Sequence, residues 1–60
     1  MLYERVVEYT TRNEISIREF ERMCGLSNGT VHGWKMGNIP STASVRKIVD
    51  ATHISADRWI

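Results

Sequence analysis

Cys24, His32 and His53 are the side chains of this sequence best suited to hold a metal or attack an electrophile, and their spacing serves neither task. Metal sites draw on close-set ligand pairs, and a nucleophile needs a base within reach. No metal-ligand pattern, nucleophile–base pair or phosphate-cradling loop stands out, so neither enzyme activity nor a cofactor is expected. A different chemistry gathers between Asn28 and Met36. Asn28 carries a paired donor and acceptor, Thr30 a hydroxyl beside a methyl, and His32 an imidazole. Such groups recognise hydrogen-bonding edges rather than break bonds. Two other patterns in the run carry little. Asn28-Gly29-Thr30 fits a glycosylation sequon, which a cytoplasmic protein would not use. Gly25, Gly29, Gly33 and Gly37 recur every fourth residue, but without the apolar stretch of about 20 residues that would make them a membrane helix pair.

Elements must hold these groups in place. Leu2, Val6 and Tyr9 recur at helical spacing and predict an amphipathic helix ending near Arg12-Asn13. Ser16-Ile17-Arg18-Glu19 is a capping box that opens a second, short helix, with Phe20 and either Met23 or Cys24 inward and Gly25 as its stop. Leu26 is an apolar anchor, and Ser27 is expected to cap a third helix from Asn28 to Met36. On that helix Val31 and Trp34 share the buried side. Gly29 and Gly33 fall almost opposite, beside Met36, with Thr30 and His32 flanking. Gly37-Asn38-Ile39-Pro40 is a turn. Ser41 or Thr42 caps a fourth helix carrying Val45, Ile48 and Val49, and Ser55-Ala56-Asp57 opens a fifth, with Trp59 and Ile60. The expected fold is all-α, one five-helix domain over residues 1–60.

Composition agrees with a small globular domain: 42% hydrophobic and 25% charged residues in 60. A chain of this size buries only roughly 60% of its unfolded surface, which leaves a thin stability margin. One cysteine allows no internal disulfide. With no apolar run of membrane length and an N-terminus unlike a signal peptide, the expected location is the cytoplasm. The net charge is only +1, but it is unevenly spread. Five Glu and four Arg lie in the first 26 residues. From Arg22 to Val49 the charged residues are Arg22, Lys35, Arg46 and Lys47, with no acid. A one-signed middle is what a polyanion would feel, or else a solvated face without acids.

The run from Phe20 to Trp34 resembles the phage repressor and Cro-type helix-turn-helix family, also called the xenobiotic-response-element family. Gly25 at the turn, Leu26 as plug, and Val31 and Trp34 inward occupy that family's places. The resemblance continues through Gly37-Asn38-Ile39-Pro40-Ser41, Val45, Ile48-Val49 and Ile54-Ser55-Ala56-Asp57, covering nearly the whole chain. It implies a lambda-repressor-like domain whose second and third helices form the helix-turn-helix. Such a domain is a sequence-specific repressor that binds a double-stranded operator as a homodimer.

Three positions depart from the family pattern. Glu21 stands where many members have Ala, so its carboxylate needs solvent or a partner such as Arg18 or Arg22. Ile17 replaces a phosphate-touching Gln. Thr10 and Lys35 replace an Arg–Glu pair, which leaves Lys35 free for a phosphate.

In a major groove, Asn28, Thr30 and His32 would read bases, with Gly29 and Gly33 letting the backbone sit close. Ser16, Arg18, Ser27, Lys35, Asn38, Ser41 and Thr42 would hold phosphates, some through free amides at helix starts. Trp59 and Ile60 either make a dimer contact or, for Trp59, seal the core. The alternative is a protein-interaction module, such as an antitoxin or regulatory domain. The modest net charge and the missing Gln at Ile17 favour it.

Overall fold

Leu2, Val6 and Thr10 lie four residues apart and bury one face of the first helix, α1 (Leu2–Arg12). In the computed structural model, which describes residues 2–59, four more helices follow. They are α2 (Ile17–Cys24), α3 (Thr30–Lys35), α4 (Thr42–Thr52) and α5 (Ala56–Trp59). Among the described residues there is no strand, and no helix is long and apolar enough to cross a membrane. The molecule measures 25 × 21 × 19 Å.

Local chemistry sets most of the boundaries. The Ser16 hydroxyl accepts from the Glu19 amide at 3.0 Å, and the Ser16 amide donates to the Glu19 carboxylate at 3.0 Å. These paired bonds satisfy two orphan donors at the start of α2. Gly25 closes α2 in the left-handed region, at φ 74°. Ser41 is the residue that caps α4, accepting from the Ser44 amide at 3.1 Å. α1 ends as expected at Arg12, but the residue that turns left-handed is Glu14, at φ 55°. The Ile15 amide then donates back to the Thr10 carbonyl at 3.0 Å, and Glu14 to Thr11 at 3.3 Å.

Phe20, Ile48, Val6 and Val31 are fully buried, joined by Leu2, Cys24, Trp34 and Trp59. Of the two candidates at the end of α2, Cys24 turns inward and Met23 stays exposed. The rings of Tyr9, Phe20 and Trp59 meet pairwise with centroids 5.6–6.0 Å apart, in edge-on and tilted arrangements that aromatic quadrupoles favour. Trp59 is only 3% exposed. It seals the core, so its ring is not exposed for the dimer contact that was the alternative. Ile60, the other candidate for that contact, lies outside the described residues.

α3 rests on α1 and α2, whereas α4 packs on α2 and α5. No Cα of α3 lies within 8 Å of one of α4, although Val31, Trp34 and Ile48 share the core. The segment between them runs over the surface, with Ile39 91% exposed.

Candidate nucleic-acid interface

The third helix is shorter than its sequence suggests. It spans Thr30–Lys35 rather than Asn28 to Met36, and its cap is Gly29, not Ser27. Gly29 has φ 89°, a conformation that costs any residue with a Cβ roughly 1–2 kcal/mol. Gly29 is thus a turn residue that precedes the helix rather than a residue inside it. No hydroxyl caps this end.

A carboxylate from the neighbouring helix does so instead. Glu21, only 4% exposed, accepts from the Val31 amide at 3.0 Å through Oε2. Its Oε1 accepts from the Gly29 amide at 3.3 Å. The expected solvent path, or partner in Arg18 or Arg22, is replaced by two backbone donors at the head of α3. A buried acceptor takes the nearest unmade hydrogen bonds, and a glycine cap had left two. The amides of Gly29 and Val31 are therefore not free for a phosphate. That removes the free-amide part of the role expected at Ser27. Two sequence signals point to this contact: an acid on the inward side of α2, and a cap residue without a side chain.

Val31 and Trp34 are buried side by side on α3, as their spacing predicts. Asn28, His32, Lys35 and Met36 are exposed, and Thr30 and Gly33 half-buried. Gly33 is not bare. A Cβ built there would lie 2.8 Å from the side-chain Nδ2 of Asn38, and the Asn38 backbone N–H donates to the Gly33 carbonyl at 2.9 Å. Asn38, expected at a phosphate, instead folds over the glycine expected at a base. The structure thus brings Asn38 and Gly33 into one unit.

The phosphate candidates separate in the same way. Ser16 and Ser41 have exposed hydroxyls already committed to their own helix starts, and Ser41 also donates to the Ser44 hydroxyl at 3.1 Å. Arg18, Lys35 and Thr42 are exposed, and none has an ion-pair or side-chain hydrogen-bond partner. Lys47 stood out in the sequence only as one of the cations of the acid-free stretch. Its Nζ reaches the Gly25 carbonyl at 3.4 Å, which places a cation at the end of α2.

Burial pushes the Cys24 thiol up to about 11, so it stays protonated and unreactive at neutral pH. The Glu19 carboxyl is held below its usual value by the Ser16 amide, then the Ser16 hydroxyl, with a further contribution from the Arg22 charge. Arg22, Lys35, Arg46 and Lys47 are all exposed in the acid-free stretch. Among the described residues no group of three His, Cys, Asp or Glu side chains is placed to hold a metal ion.

Comparison with protein-family models, characterised proteins and solved structures gave no match to this chain.

Proposed function

We propose that this chain is a sequence-specific DNA-binding transcriptional regulator of the lambda-repressor-like kind, reading the major groove with α3. One observation carries this reading. With Val31 and Trp34 turned inward, Asn28, His32, Lys35 and Met36 stand exposed on a short element inside a stretch that has cations and no acid. In this reading α2, the turn at Gly25 and α3 form the helix-turn-helix. His32 and Asn28 contact base edges, and Lys35 and Arg18 contact phosphates. A two-fold dimer would set two copies of α3 about 34 Å apart in successive major grooves.

The test is binding to duplexes selected from a random pool, repeated over a salt series. Affinity for the selected duplex falls by about 0.9 log units per tenfold rise in salt for each phosphate neutralised. His32→Ala changes the preferred base at one position. A uniform loss across all sequences would make His32 a phosphate contact, and salt-independent binding, or none to any duplex, sinks the proposal.

The protein-interaction alternative keeps one observation in its favour. Met36 and Ile39 are 70% and 91% exposed, apolar side chains close to α3 that water does not reward. Chemical-shift mapping with the selected duplex separates the two. Changes over residues 28–36 on adding the duplex support DNA reading; no change there leaves that surface, with Met36 and Ile39, to a protein partner.

A further inference from the structure

The seam between α1 and α5, on elements that the proposed DNA reading does not use, holds a cleft of about 170 Å³. Its lining includes Arg5, Glu8 and Arg12 from α1, Arg58 from α5, and the rings of Tyr9 and Trp59. No Cα of α5 lies within 8 Å of one of α3, and no residue between Gly25 and Ser41 lines this space.

The cleft's donors outnumber its acceptors. Each guanidinium offers five N–H groups in a fixed fork and accepts nothing. None of the three has a carboxylate within ion-pair distance or a side-chain hydrogen-bond partner among the described residues. Trp59 lies in the same wall, and its indole Nε1–H is buried with no hydrogen-bond acceptor among the described residues. Against these donors stands one carboxylate, Glu8. Rotation of Glu8 toward Arg5 or Arg12, three and four residues away on the same helix, would satisfy part of one fork. Two positive charges and two forks would remain.

We infer that this cleft binds a small molecule carrying a phosphate group. A phosphate supplies three acceptor oxygens and close to two negative charges at neutral pH, which matches what the lining lacks. The guanidiniums approach from two helices, so the ligand bridges α1 to α5 across the ring cluster. The rest of a small ligand lies against Tyr9 and the edge of Trp59.

The test is a titration of the isotope-labelled full chain with inorganic phosphate at slightly alkaline pH, with ionic strength held constant by chloride. Binding gives saturable shifts of the Nε–H signals of Arg5, Arg12 and Arg58 and of the Trp59 indole N–H. Arg58→Ala weakens the affinity roughly tenfold or more, and Arg58→Lys, which keeps the charge but not the fork, weakens it less. Arg12→Ala repeats the test from the opposite wall, and thermal unfolding of each variant checks that it is folded. Shifts that grow linearly, that chloride reproduces, or that survive Arg58→Ala overturn the inference. So does displacement of phosphate by duplex DNA, which would make the cleft a backbone contact.

Discussion

Replacing Glu21 with Gln keeps the shape of the side chain and removes one of its two acceptors. The amide nitrogen that takes its place faces a backbone N–H, so a buried donor at the head of α3 loses its partner. Such a loss costs about 1–3 kcal/mol. Thermal unfolding of Glu21→Gln is expected to show that decrease, with faster hydrogen exchange at Gly29 and Val31; an unchanged midpoint would mean that solvent serves these amides equally well. Gly33→Ala acts in the opposite sense. Alanine favours the helix by roughly 0.8–1 kcal/mol over glycine, and the Asn38 amide in its way is the far end of an exposed side chain that can swing aside. Stability is expected to rise by about 0.5–1 kcal/mol while affinity for the selected duplex falls. A rise in both would refute close approach of the backbone to DNA.

At the scale of elements, the connections differ in how far their hydrogen bonds reach along the chain. The capping box at Ser16, the stop at Gly25 and the Ser41 cap were legible because each is closed by residues within five positions. The start of α3 was not. Its cap comes from Glu21, eight and ten residues upstream, and such a bond exists only once α2 and α3 have packed. Asn38 over Gly33 escaped the sequence for a related reason: the chain must first leave the helix and turn back on it. The end of α1 offers a test of turn chemistry. Glu14 adopts a left-handed conformation that favours glycine, and it holds the back-bonds from Glu14 and Ile15. Glu14→Gly is expected to stabilise the domain by about 0.5–1 kcal/mol, since relief of the left-handed penalty exceeds the added chain entropy. In a domain of this size each kcal/mol moves the melting midpoint by roughly 4–8 °C, which a denaturation scan resolves.

For the whole molecule, the candidate recognition element and the core share their supports. Val31 and Trp34 belong to α3 and to the hydrophobic core at once, packed with Phe20, Val6 and Ile48. The spacing of these residues made that inward face readable from the sequence. The aromatic cluster of Tyr9, Phe20 and Trp59 depends on α5 returning to α1, and only the fold reveals it.

α3 is only six residues long, well below the roughly 12–15 at which an isolated helix becomes even marginal in water. Its helicity is therefore borrowed from α1 and α2. Residues 27–37 as a free peptide are expected to show no helical circular dichroism. In the intact domain, the amides of Gly33 and Met36, which donate to the Gly29 and His32 carbonyls, are expected to exchange more slowly than in that peptide. A surface held this way depends on the fold beneath it. Any change that lowers the folded population removes the exposed face of α3 in the same proportion, so damage anywhere in the core is read out as lost occupancy of whatever that face binds.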